Sequence, residues 1–234
     1  MNETLPILLI PGLFATARLY ASQIPELWRH GPVTIANHTR HASMAEIARD
    51  ILASAPAHFA LIGLSMGGYI AFEILRQAPQ RVRRLALLDT SARADRPEQT
   101  EARRAQIELA RAGRFSEVPE QMFPQLVHQS DSPELLRIVR LMAEETGAAA
   151  FIRQQTANMG RPDSRPTLAT IACPTLVVVG ADDKLTPPEV AQEIATSIRG
   201  ARLATIAECG HLSTLDRPEI VTRTLVEWYV STSG

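Results

Sequence analysis

The stretch "ALIGLSMGGYIAF", residues 60–72, holds an apolar run that stops at Gly63, one serine at the break, and apolar residues that resume past two more glycines. The first half reads as a buried strand and the second as a helix. Gly63 and Gly67 stand two positions either side of Ser65, and they remove the Cβ clashes that a sharp strand-to-helix turn would create. Such a turn lifts the serine Oγ into the open at the strand's carboxyl end. The helix N-terminus there favours developing negative charge. Strand, Gly-x-Ser-x-Gly and helix in that order predict a nucleophile, against the plainer reading of a turn that happens to contain serine.

The rhythm outward from this stretch is that of an α/β protein. Apolar runs at 5–10, 33–36, 59–63, 82–88, 175–179 and 202–206 predict strands. Helical patterns between them predict a mostly parallel sheet with helices on both faces. Ser43 with Glu46, and Thr186 with Glu189, read as capping boxes, and Pro187 suits a first turn. Gly200 reads as the end of the helix after Pro187, and Asp216 as the cap of the last helix. Residues 92–171 break the rhythm, with amphipathic helical patterns and no strand. They are expected to form a helical lid inserted into a core made of residues 1–91 and 172–234.

A serine needs a base, and the base an orienting acid. Of six histidines only His211, in "AECGHLSTLDRPE", lies between a late strand and the final helix. The other five read as surface residues. In "VVVGADDKLTPP" two aspartates follow a strand's carboxyl end, where catalytic groups collect in open α/β sheets. Asp183 is preferred over Asp182, and Asp89, at the end of "RLALLD", is the alternative acid. The order Ser65, Asp183, His211 favours the nucleophile. Met66 N–H and Leu13 N–H, the latter beside Gly12 after the first strand, are the candidate oxyanion donors. Phe14 is placed against the acyl side of a pocket. Arg153, Arg161 and Arg165 are candidates for clamping a substrate carboxylate.

The motifs "PGL" at 11–13, "GLSMGG" at 63–68, "GADDKLTPP" at 180–188 and "GHLSTLDRPE" at 210–219 together resemble the α/β-hydrolase superfamily over nearly the whole chain. The run "ANMGRPDSRPTLATIACPTLVVVGADD" is similar to the branch of 3-oxoadipate enol-lactonases and small-lid esterases. The resemblance lands the triad acid on Asp183. It implies hydrolysis of a small ester, thioester or lactone through an acyl-enzyme on Ser65, without metal or organic cofactor. Pro11 stands where the family often has a histidine before the oxyanion glycine, and the sheet is expected to lack the usual N-terminal hairpin. The rivals are a C–C bond hydrolase or lyase on the same triad, and a non-catalytic receptor.

Composition narrows the field further. A formal net charge of −1 and 45% hydrophobic residues point away from nucleic acid and toward a sizeable buried core. The six arginines between Arg93 and Arg114 are interleaved with acids and read as a solvated helix face. Cys173 and Cys209 read as buried free thiols rather than a disulfide. Pro6 and Pro11 interrupt the N-terminal apolar run, which makes it a poor signal peptide and too short a span for a bilayer. The expected partner is a small molecule and the expected setting cytoplasmic; oligomeric state is not legible.

Overall fold

The computed structural model describes residues 4–232. Six strands form one sheet: β1 (Ile7–Ile10), β2 (Val33–Ile35), β3 (Phe59–Leu64), β4 (Val82–Leu88), β5 (Thr175–Gly180) and β6 (Arg202–Ile206). Their order is β2-β1-β3-β4-β5-β6, and every pairing is parallel. No antiparallel hairpin precedes β1 among the described residues. β1 begins at Ile7 rather than Leu5, because Pro6 has no N–H to enter the ladder. β3 and β5 each run one residue further than the sequence indicates, and β2 one residue less.

Side-chain alternation divides the core into two layers. Ile7, Leu9, Ala60, Ile62, Leu64, Ala86 and Leu88 face one side of the sheet. Leu8, Ile10, Phe59, Leu61, Leu85 and Leu87 face the other. The second face is covered by α2 (Met44–Ser54), α3 (Met66–Gln77) and α9 (Pro188–Ser197). The first is covered by α1 (Ile24–Trp28) and α11 (Pro218–Ser231), through Leu27, Val221, Leu225 and Trp228.

Between β4 and β5 the chain forms α4 (Pro97–Arg111), α5 (Glu117–Leu126), α6 (Pro133–Thr146), α7 (Ala148–Met159) and α8 (Arg165–Leu168). Their apolar residues Val118, Phe123, Val139, Met142 and Phe151 join the core on the first face of the sheet. A short helix α10 (Ser213–Asp216) precedes α11.

The strand order reverses between β1 and β3, which sends successive crossovers in opposite directions. At that switch the loops leaving the two strands part, opening a crevice at their carboxyl ends. The loop after β1 and the turn after β3 therefore meet side by side. A Cβ built on Gly12 would lie 3.4 Å from Ser65 Cβ.

Three local readings are corrected. Thr186 does not cap α9, whose N-cap is Pro187; its hydroxyl donates instead to Asp183 Oδ2 at 2.7 Å. α9 ends at Ser197, and Gly200 lies beyond it in a turn at φ +76°. Asp216 ends α10 rather than capping α11. Its carboxylate accepts the N–H groups of Gly210 at 2.6 Å and His128 at 2.8 Å.

Candidate active site

Ser65 stands at the turn from β3 into α3 with φ +54°. Two neighbours hold this unfavourable backbone: Ser65 N–H donates to Leu88 O at 2.9 Å, and Thr90 Oγ1 donates to Ser65 O at 2.7 Å. The flanking glycines are required by close approach. A Cβ at Gly63 would lie 2.4 Å from Gly67 O, and one at Gly67 would lie 2.1 Å from Ile10 O.

His211 and Asp183 arrive on the loops after β6 and β5. His211 Nε2 is 2.8 Å from Ser65 Oγ, and His211 Nδ1 is 2.8 Å from Asp183 Oδ2. Asp183 Oδ1 accepts from Leu185 N at 2.8 Å and Thr186 N at 2.9 Å, so both carboxylate oxygens are fixed. Because the carboxylate only accepts, Nδ1 carries a proton and Nε2 is left to accept from the serine hydroxyl. Burial opposes charge on Asp183, but the imidazole beside it and the Thr186 hydrogen bonds outweigh burial and hold its pKa down. Burial likewise presses the His211 pKa down, and the Asp183 charge and hydrogen bond outweigh it and raise the pKa above the ordinary 6.5.

The two other acids considered lie elsewhere. Asp182 pairs with His128 Nδ1 at 2.8 Å. Asp89 is fully buried, accepts from Gly180 N at 3.0 Å and meets Ser213 Oγ at 2.5 Å, with no hydrogen bond to His211. Burial, then the charge of Asp183, push its pKa up to about 8.

Leu13 and Met66 both line a cavity of about 520 Å³ whose wall also includes Ser65 and His211. Met66 is the first residue of its helix, so its N–H has no partner within it. Leu13 N–H donates to no protein group among the described residues. Phe14 also lines the cavity and packs on Phe151, with ring centroids 6.1 Å apart.

Two buried residues hold the loop that carries Leu13. His38, read as a surface residue, is 3% exposed, and its Nε2 lies 2.9 Å from Gly12 O. Burial lowers its pKa more than this bond raises it, so the ring is neutral with its proton on Nε2. Gly12 C=O and Leu13 N–H belong to one planar peptide unit, so fixing the oxygen fixes the direction of the N–H. Gln154, on α7, accepts Phe14 N–H through Oε1 at 2.9 Å. No motif marks either residue; only the tertiary burial does.

The three candidate carboxylate clamps are corrected, since none of them lines the cavity. Arg153 Nε donates to Thr39 O at 2.8 Å. Arg161 is buried against Asp95, Arg93 O and Asn158 O, with its guanidinium 4.3 Å from the Tyr69 ring centroid. Arg165 is half exposed and forks onto Asp163. Arginine identity is legible in sequence, but its partners are set by tertiary packing. The cavity is instead flanked by Arg96 and Arg103 on α4 and its approach.

Among the described residues no cluster of three His, Cys, Asp or Glu side chains could hold a metal ion, and no helix is long and apolar enough to cross a membrane. Cys173 and Cys209 are free thiols, Cys209 buried and Cys173 only partly so.

An open parallel sheet with Ser65, His211 and Asp183 linked at its carboxyl edge defines a class as well as a site. Residues 7–224 match the model of the alpha/beta hydrolase family, and the chain belongs to that family. A putative non-heme bromoperoxidase, BpoC, of Mycobacterium tuberculosis is 28% identical over 186 residues, 76% of this chain and 69% of that protein. A pimeloyl-[acyl-carrier protein] methyl ester esterase of Neisseria meningitidis serogroup B is 25% identical over 227 residues, 91% of this chain and 88% of that protein. A thermophilic esterase from Thermogutta terrifontis, solved with malate bound, superposes with a TM-score of 0.90. It is 31% identical and covers 100% of this chain and 92% of its own. The protein is an enzyme of the hydrolase class.

Proposed function

We propose that the protein is a serine hydrolase that cleaves a small carboxylic ester, thioester or lactone through an acyl-enzyme on Ser65. The observation that carries this reading is the unbroken hydrogen-bonded line from Ser65 Oγ through the His211 ring to Asp183, at 2.8 Å on each side of the imidazole. Ser65 Oγ attacks the carbonyl carbon while its proton passes to His211 Nε2. Asp183 holds the ring and stabilises its charged form. The oxyanion sits between the N–H groups of Leu13 and Met66. His211 then protonates the departing alcohol, thiol or ring oxygen, leaving an acyl-enzyme. A water gives its proton to His211 and attacks the acyl carbon; the proton returns to Ser65 as the acid leaves.

Ester chemistry is favoured by the likeness to two esterases, one 31% identical over the whole chain. The helices from Pro97 to Leu168 act as a lid over the core made by the chain either side of them. Two free thiols suit a cytoplasmic setting.

The test is hydrolysis of short p-nitrophenyl esters by wild type and Ser65→Ala. Loss of about 10⁴–10⁶-fold in kcat is expected, the order seen when a triad member is removed. Equal rates would remove the assignment.

A further inference from the structure

Beside Glu98, one face of α4 carries three side chains whose remaining polar atoms are hydrogen-bond donors. Gln99, Arg103 and Gln106 stand at i, i+4 and i+7, and all three line the cavity. Gln99 spends its oxygen on Arg96 N–H at 3.0 Å. Arg103 Nη1 donates to Gln155 Oε1 at 2.7 Å, and a guanidinium can only donate, so the orientation of Gln155 is fixed. Gln155 must then turn its NH2 toward Gln106, whose Oε1 accepts it at 2.5 Å. What remains on these three cavity-lining side chains is the NH2 of Gln99, Nη2 of Arg103 and the NH2 of Gln106. None of the three donates to a protein group among the described residues.

The charge beneath this face points the same way. Arg103 and Arg161 both pair with Asp95, whose side chain is 2% exposed against 16% and 4% for the arginines. Two guanidiniums on one carboxylate leave one positive charge uncompensated in a partly desolvated place, where it is poorly screened. Among the residues lining the cavity Glu98 is the acid, and Arg96 and Lys184 also line it without a carboxylate partner among the described residues. A ligand group that only accepts, carries negative charge and is planar fits a guanidinium edge flanked by two amides.

Resting on the hydrolase reading above, we propose that the Gln99–Arg103–Gln106 face binds a carboxylate carried by the substrate away from its scissile bond. The substrate class is then a half-ester of a dicarboxylic acid. Binding is measured calorimetrically on Ser65→Ala protein, with monomethyl glutarate compared against dimethyl glutarate, so that the readout does not depend on turnover. The half-ester is expected to bind about 10-fold or more tightly, the order of one charge-assisted hydrogen bond. Adding Arg103→Gln should erase the preference. Adding Gln99→Glu should erase or reverse it, since glutamate can still accept Arg96 N–H and keep the start of α4 while replacing a donor by a like charge. Equal affinity for the two ligands, no half-ester binding in the millimolar range, or an undiminished preference in both variants would overturn the proposal. The Ser65-dependent turnover of neutral esters judges the hydrolase reading separately.

Discussion

Ser65 occupies a backbone conformation at φ +54° that costs a serine about 1–3 kcal/mol, and the bonds to Leu88 O and from Thr90 hold it there. The proposed nucleophile is therefore set before a substrate arrives. The same holds for the Leu13 amide, which is aimed through the far end of its own peptide unit by His38. Replacing His38 by leucine should lower kcat about 10-fold or more with KM changing little, because the donor matters most once the oxyanion forms. Replacing it by glutamine, which can still donate, should recover much of the loss. A KM effect without a kcat effect would show His38 to be merely structural. The pH profile follows from His211, whose pKa is raised by Asp183 against the pull of burial. Catalysis needs the neutral ring, so kcat/KM should rise with pH through a midpoint above the ordinary 6.5. Asp183→Asn should cut the rate steeply and move that midpoint down. A wild-type midpoint at or below 6.5 would contradict the coupling.

At the scale of elements, the site depends on how closely α3 lies on β1. Gly67 touches the backbone of Ile10, where a Cβ would come within 2.1 Å of a carbonyl oxygen. Gly67→Ala must push the helix away, at a cost of about 1–3 kcal/mol or more. It should also misplace Met66 N–H. Chemical denaturation should show the loss of stability, and kcat the loss of function; a variant with wild-type values for both would refute the packing argument. The insertion is joined to the His211 loop by Leu212 N–H to Leu126 O at 2.8 Å and by Asp216, which accepts from both His128 and Gly210. Much of this was readable in advance at the level of pattern, since apolar runs mark the strands and glycines the turn after β3. What local pattern misread was side-chain destination. Thr186 looks like a cap and instead braces Asp183; Asp216 looks like a cap and instead ties two loops together. Both types of contact satisfy the same hydrogen-bonding chemistry, and only the fold chooses between them.

For the whole molecule, the sheet order decides where chemistry can sit. The reversal between β1 and β3 brings residues near 12, 65, 183 and 211 to one edge, and each could be picked out because it follows a strand signal. Gln154 and Arg103 carried no such signal, and His38, though it follows the run at 33–36, was marked by no motif; the importance of all three comes from burial against distant segments. Asp89 shows the same limit: the sequence offered it as a second acid, and its partners turn out to be Gly180 and Ser213. With its pKa pushed up to about 8, the folded chain keeps a proton that the unfolded chain releases near 3.8. The folded state binds more protons between those values, so this group's contribution makes stability fall as pH rises across the window. Asp89→Asn should flatten that decline in Tm; parallel Tm curves for variant and wild type would count against it. The central claim is that Ser65 is the activated nucleophile. It is tested most directly by treating the protein with an organofluorophosphonate and mapping the adduct by peptide mass spectrometry. One equivalent on Ser65, with labelling strongly slowed in His211→Ala, is the predicted result. No adduct on Ser65, or labelling indifferent to the loss of His211, would contradict the account.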